Sequence, residues 1–217
     1  MKKIVLFLHG YGSNGSDLIS LKDHISLDQK SSEFISPNAP EPCELNFFGY
    51  QWFPLKERST DELKLGLSSA YLHLEKIIQK TKEDHEVETS QISIVGFSQG
   101  SMLATYYGLQ SNYDFHSIVS LSGSLPLPIL EDLKLCNNNT QYLIFHGEID
   151  DVVSSEQAVQ TQNFLDNKKI PSRIILDENC GHSISPLAIN GINQLYKSWF
   201  QLNFNKLISI DYAIIDL

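Results

Sequence analysis

The sequence is short of cysteine, positive charge and long apolar runs. Its three cysteines show no metal-ligand spacing, and so small and odd a set is typical of a reducing compartment. Lys and Arg total 16 against 26 Asp and Glu, a net charge of −10, which disfavours nucleic acid and anionic membranes as partners. No window approaches a membrane span, and the first apolar run, Ile4 to Leu8, is too short for a signal peptide. We expect a cytoplasmic protein without metal, cofactor or membrane span.

The 217 residues, 41% of them hydrophobic, suit one domain with a sizeable core. We assign that domain to residues 1–200. The apolar stretch 201–217 follows it as an extension, and its β-prone residues leave three roles open: an added edge strand, a contact in a homodimer, or a poorly ordered end.

Short apolar runs alternate with helical patterns along the domain. The predicted strands are 4–8, 33–36, 92–97, 117–121, 141–145 and 172–176. A capping box at Ser59 and Glu62 opens a helix, and residues 81–91 form a polar connector. This alternation predicts an α/β fold with a mainly parallel central sheet and helices on both faces. Polar clusters follow several of the strands, at the edge where such sheets bind ligands.

The strand at 92–97 runs into Gly96-Phe97-Ser98-Gln99-Gly100, a Gly-x-Ser-x-Gly sequence. Between a strand and a helix, this turn exposes a serine hydroxyl at the top of the sheet. On the motif alone, Ser98 could also be an ordinary turn serine. A nucleophilic serine also needs a base, and a carboxylate that orients the base.

On such a scaffold the chain order is serine, acid, histidine. The acids that follow a strand downstream of Ser98 are Glu148, Asp150 and Asp151. Only one strand-end histidine, His182, follows them, so His182 is the predicted base. Position alone does not separate Asp150 from Asp151. We interpret His9 and His146 as structural residues that hydrogen-bond loop backbone.

An acyl-transfer site also needs two backbone amides for the developing oxyanion. The N–H of Gln99 is one candidate, and the second is the N–H of Tyr11 in the glycine-rich loop after the first strand. The long aromatic segment 40–58 allows two hypotheses. Phe47, Phe48 and Trp52 either contact the substrate as walls of an acyl pocket or complete the core.

Several motifs occur in the order found in one known family. They are His9 to Gly15, Pro37 to Pro40, Trp52-Phe53, Gly96 to Gly100, His146 to Asp150, and Gly181-His182. With these motifs the chain resembles the phospholipase/carboxylesterase family of α/β hydrolases, which includes acyl-protein thioesterases and small bacterial carboxylesterases. The resemblance covers about residues 3–200 and implies the α/β-hydrolase fold.

The resemblance also implies roles for individual residues. Ser98 is the nucleophile and His182 the base; Asp150 is the acid because the aspartate of the family falls at the fifth place of His-Gly-x-x-Asp. Tyr11 and Gln99 match the oxyanion donors. The chain departs from the family at Asp151, where proline is usual, and in the extension after residue 200.

The predicted function is therefore hydrolysis of small or medium carboxylic esters, and of thioesters by the same chemistry, through an acyl-serine intermediate. The partner is a small-molecule acyl ester or thioester. Alternatives are a lysophospholipase, an acyl-protein thioesterase, or a non-catalytic binding protein that keeps the fold. A regulatory thiol at Cys43 or Cys180 is a further open question; Cys180 lies two residues before His182.

Overall fold

Six parallel strands form the central sheet of the computed structural model, which describes residues 2–28, 30–57, 59–136, 139–197 and 199. They are β1 (Lys3–Leu8), β2 (Ser32–Ile35), β5 (Ile92–Phe97), β6 (Ser117–Leu121), β7 (Gln141–Gly147) and β8 (Ser172–Asp177). Their order is β2-β1-β5-β6-β7-β8. The predicted strands and their parallel arrangement are confirmed. The 201–217 extension lies outside the described residues.

Helices cover both faces of this sheet. One face carries α2 (Thr60–His85), α3 (Gln99–Gln110), α4 (Leu127–Glu131) and α5 (Ser155–Asn167). The other carries α1 (Gly15–Leu18), a 3₁₀ helix (Ile19–His24) and α6 (Pro186–Lys197). Successive side chains of a strand point to opposite faces, so Ile4 and Leu6 of β1 join the first core while Val5 and Phe7 join the second. Because both faces of these strands are buried, their sequences are continuous apolar runs and do not alternate between apolar and polar residues.

The long helix α2 begins as the capping box predicts but ends later. The Ser59 Oγ accepts the Glu62 N–H at 3.2 Å. The helix continues to His85, through residues that the sequence analysis assigned to a connector, because Ile78 and Thr81 still face the core. It ends at Glu86, whose φ of 53° is left-handed.

The segment between β2 and α2 contains a small hairpin, β3 (Glu41–Pro42) with β4 (Tyr50–Gln51), which the sequence analysis did not predict. Backbone bonds attach the hairpin to the loop after β1: Gly12 N–H donates to Tyr50 O at 2.9 Å and Tyr50 N–H to Ser13 O at 2.8 Å. The aromatic segment is therefore fixed beside that loop.

The strand order brings two distant loops together. From β1 the chain moves outward to β2, then returns to place β5 on the other side of β1. The carboxyl ends of β1 and β5 are thus neighbours at a topological switch point, where open α/β sheets bind ligands. None of the helices within the described ranges has the length and apolar character that crossing a membrane requires.

Candidate active site

The turn at Ser98 is a strained connection between β5 and α3. Ser98 has φ 52° and ψ −115°, a conformation that non-glycine residues rarely adopt. The neighbouring glycines are required by close approach: a Cβ on Gly100 would lie 2.0 Å from Leu8 O, and one on Gly96 would lie 2.3 Å from Gly100 O. The Ser98 N–H donates to Leu121 O at 2.9 Å. The serine is therefore held rigidly at the carboxyl edge of the sheet.

His182 joins the serine to an aspartate. Its Nε2 lies 3.0 Å from Ser98 Oγ and its Nδ1 lies 2.8 Å from Asp150 Oδ2. An ionised carboxylate can only accept hydrogen bonds, so the imidazole proton lies on Nδ1. Nε2 is therefore free of a proton and can accept the one from the serine hydroxyl. Ser122 supports the loop that carries the imidazole, since its Oγ donates to Ser183 O at 2.8 Å. Ser98, His182 and Asp150, which are far apart in sequence, thus form one line of hydrogen bonds.

Asp150 occupies a buried position that its acidic neighbours do not share. Its Oδ1 accepts the N–H groups of Val152 and Val153, each at 2.9 Å. Burial alone would raise the pKa of this carboxyl, but the Val153 amide, His182 and the Val152 amide outweigh it and hold the pKa below its ordinary value. Glu148 and Asp151 are exposed. Of the three candidate acids, Asp150 is the one whose carboxylate contacts His182.

The loop after β1 lies directly against the serine. A Cβ on Gly10 would be 3.3 Å from the Ser98 Cβ. His9 Nε2 accepts the Ala39 N–H at 2.9 Å, so its Nδ1 carries the proton and donates to Gly10 O at 2.8 Å. In a trans peptide the C=O and the following N–H point in opposite directions, so this bond also fixes the direction of the Tyr11 N–H. The predicted backbone role of His9 is confirmed.

Trp52 lies against this loop, and its environment fits the second of the two hypotheses for the aromatic segment, that it completes the core. Its side chain is 1% exposed, and its Nε1–H donates to His9 O at 2.9 Å. The Gln99 side chain holds the same segment, because its Oε1 accepts the Trp52 N–H at 2.8 Å and its Nε2 donates to Phe53 O at 2.7 Å. Trp52 belongs to the core, and the bracing role of Gln99 was missed because nothing local in the sequence signals a contact 46 or 47 residues away.

Phe47 and Phe48 have the opposite environment. Each is 92% exposed, so neither completes the core. They lie at the tip of the hairpin, which the Asn46 side chain attaches to Gly12 O through a 2.7 Å hydrogen bond. A Cβ on Gly49 would be 2.0 Å from the same Gly12 O, which confirms how closely the tip approaches the loop. Two exposed aromatic rings therefore lie beside the loop that follows β1.

A separate cleft of about 660 Å³ lies between the aromatic segment and α2. Its lining includes Trp52, Phe53 and Leu65, with none of Ser98, Asp150 and His182 among the lining residues. Cys43 and Cys180 are buried and unpaired. In the part of the chain that the structure describes, no three His, Cys, Asp or Glu side chains group as metal ligands would.

The comparisons with known proteins agree with this geometry. The profile of the phospholipase/carboxylesterase family matches residues 1–199. Acyl-protein thioesterase 1 homolog 1 of Dictyostelium discoideum is 30% identical over 193 residues, covering 86% of this chain and 85% of its own. Esterase PE8 superposes with a TM-score of 0.83 at 29% identity, covering 91% and 92%.

Arabidopsis thaliana SOBER1 superposes with a TM-score of 0.77 at 20% identity, covering 93% of this chain and 100% of its own, and at that identity it supports the fold alone. Six parallel strands, helices on both faces and a serine turn at the switch point are features of an α/β hydrolase. With the family profile matching nearly the whole domain, the chain belongs to the phospholipase/carboxylesterase family.

Proposed function

We propose that this protein is a serine hydrolase that cleaves carboxylic esters, and thioesters by the same steps, through an acyl-Ser98 intermediate. One observation carries the proposal: His182 lies 3.0 Å from the Ser98 hydroxyl and 2.8 Å from the Asp150 carboxylate. A serine hydroxyl becomes an effective nucleophile when a base of this kind takes its proton during attack.

Acylation begins when the Ser98 Oγ attacks the carbonyl carbon and His182 Nε2 takes the hydroxyl proton. The carbonyl oxygen becomes an oxyanion, which the backbone N–H groups of Tyr11 and Gln99 stabilise. Asp150 stabilises the imidazolium without accepting its proton. The bond to the leaving oxygen or sulfur then breaks, and His182 gives its proton to the departing alcohol or thiol.

Deacylation repeats these steps with water. His182 removes a proton from the water as its oxygen attacks the acyl carbon of acyl-Ser98. The tetrahedral intermediate collapses, the bond to the Ser98 Oγ breaks, and the proton on His182 returns to that oxygen. The carboxylic acid leaves and the free serine is restored, so the net reaction consumes one water and needs no cofactor.

The hairpin tip supports a proposal for substrate contact. Phe47 and Phe48 are almost fully exposed on a segment attached to Gly12, the residue after the proposed oxyanion donor Tyr11. Covering an exposed phenylalanine with an apolar group removes apolar surface from water, which is favourable. We therefore propose that Phe47 and Phe48, and not Trp52, contact the acyl chain of the substrate, which is small or medium in length.

Thioesters are included because several relatives are named acyl-protein thioesterases. Lysophospholipid cleavage would use the same residues, and comparing the rates on a series of esters, thioesters and lysophospholipids distinguishes these activities.

Residues 1–200 are proposed as a single domain. A cytoplasmic location is supported by the three unpaired cysteines, and a homodimer contact is one role open to the apolar extension.

The test is hydrolysis of p-nitrophenyl acetate and butyrate, and of butyryl thioesters, by wild type and Ser98→Ala. The variant is expected to lose at least about a thousandfold in kcat, since removing a triad nucleophile leaves only the oxyanion hole and binding. Ser90→Ala is the matched control, an exposed serine just before β5, at the opposite end of the same strand. Undiminished turnover by a folded Ser98→Ala protein would refute Ser98 as the nucleophile, and the absence of turnover by the wild type would favour a non-catalytic binding protein.

A further inference from the structure

His146 is a buried histidine that the proposed mechanism does not use. It lies near the end of β7, and its side chain is 0% exposed. Its Nε2 is 2.8 Å from Val153 O, the backbone contact expected of it, and also 3.1 Å from Asp150 Oδ2. The oxygen that accepts the bond from His182 thus faces a second imidazole.

The surroundings of the ring settle which nitrogen carries the proton. Val153 O and the Asp150 carboxylate are both acceptors, so Nε2 carries the proton; it donates to Val153 O at 2.8 Å, and the same N–H edge lies 3.1 Å from Asp150 Oδ2. Within the described residues the buried Nδ1 has no hydrogen-bond partner. His146 therefore places a polar N–H edge, fixed by its bond to Val153 O, beside the carboxylate.

We propose that His146 is a positioning residue that holds the Asp150 carboxylate in the orientation His182 needs. This inference rests on the proposed function. The amides of Val152 and Val153 fix Oδ1, and Oδ2 accepts the bond from His182, the ring that the carboxylate has to orient. The His146 N–H edge, 3.1 Å from the same Oδ2, limits the movement of that oxygen independently of His182.

His146 acts at two levels that experiment can separate. Its bond to Val153 O closes the loop that carries Asp150, which is a contribution to folding. Its contact with Oδ2 acts on the imidazolium formed in the transition state, through the orientation of the carboxylate. Loss of the first lowers stability, whereas loss of the second lowers kcat with little change in KM.

The test compares three variants. Gln can place its amide N–H near the position of Nε2, whereas Asn is shorter and Leu has no donor. We expect His146→Leu and His146→Asn to lower kcat for p-nitrophenyl butyrate about tenfold, the order of magnitude of one polar contact with a charged group. His146→Gln should keep most of the activity. If Leu prevents folding, the Asn and Gln pair carries the comparison.

A matched control distinguishes position from burial. His116 is also a buried histidine, but it precedes β6 at the opposite end of the sheet, and its Nδ1 lies 3.0 Å from Ser117 Oγ. His116→Leu should lower the melting temperature and leave kcat unchanged. An equal loss of kcat in His116→Leu would overturn the proposal, because general softening of the fold would then explain both.

A double-mutant cycle with Asp150→Asn tests the route of action. If His146 works through the carboxylate, His146→Asn in the Asp150→Asn background changes kcat by less than about twofold. A tenfold loss that persists there would overturn the proposal. Failure of the proposed function looks different: Ser98→Ala would then be as active as wild type, whatever His146 does.

Discussion

The Gln99 side chain provides the sharpest quantitative prediction, for the variant Gln99→Leu. The amide satisfies two backbone groups of the buried aromatic segment, the Trp52 N–H at 2.8 Å and the Phe53 C=O at 2.7 Å. Leucine has a similar size, so the substitution leaves little cavity but removes both partners. The side chain of Gln99 is 1% exposed, so water cannot replace them without rearrangement.

Each buried polar group left without a partner costs about 1–3 kcal/mol, so the two together lower the free energy of unfolding by about 2–6 kcal/mol. For a domain of this size, each kcal/mol corresponds to roughly 2–4 °C in Tm. We expect a drop in Tm of at least about 4 °C, measured by calorimetry or by circular dichroism. Activity should fall as well, because Trp52 donates to His9 O in the loop that carries Tyr11, the proposed oxyanion donor.

Gln110→Leu is the control for Gln99→Leu, since Gln110 ends the same helix α3 and is partly exposed. It should change Tm by less than about 2 °C, as surface substitutions usually do. Gln99→Glu is informative as well, because its new oxygen would face Phe53 O and should be at least as damaging as leucine. A Tm within about 2 °C of wild type for Gln99→Leu would refute the bracing role.

Two further predictions concern acid stability and substrate range. The pKa of Asp150 in the folded protein lies below its unfolded value of about 4, so its contribution to stability is complete above that value and is lost as pH falls through the folded pKa. Asp150→Asn should therefore lower Tm at pH 7, and the gap to wild type should narrow as the pH falls below about 4; a gap that stays constant with pH would contradict this. Phe47→Ser and Phe48→Ser should keep Tm within about 2 °C, because both rings are exposed, yet shift kcat/KM toward shorter p-nitrophenyl esters. Unchanged chain-length preference would remove both residues from the substrate site.

The strands and the order of Ser98, Asp150 and His182 could be predicted from sequence because both follow local rules. A doubly buried strand is an apolar run, and the end of such a run marks the edge where polar side chains gather. Strand position alone did not separate Asp150 from Asp151, since the choice depends on which carboxylate the turn directs toward His182; the family resemblance selected Asp150, the residue that contacts His182.

The aromatic segment could not be divided from sequence alone. Trp52 and Phe48 are similar in hydrophobicity and four residues apart, yet one is 1% and the other 92% exposed. The difference arises from long-range contacts, with Gln99 fixing the backbone at Trp52 and Gly12 fixing the hairpin tip. The second contact of His146, with Asp150, was equally invisible, because it depends on how the loop after β7 folds back.

The most direct test of the central claim is detection of the acyl group on Ser98. Wild-type protein is mixed with p-nitrophenyl butyrate, quenched in acid within one turnover, and examined by intact mass spectrometry and peptide mapping. We predict a mass increase of one butyryl group on the peptide that contains Ser98, absent in Ser98→Ala and present in Ser90→Ala. Turnover with no adduct at Ser98, or an adduct on another residue, would contradict the account.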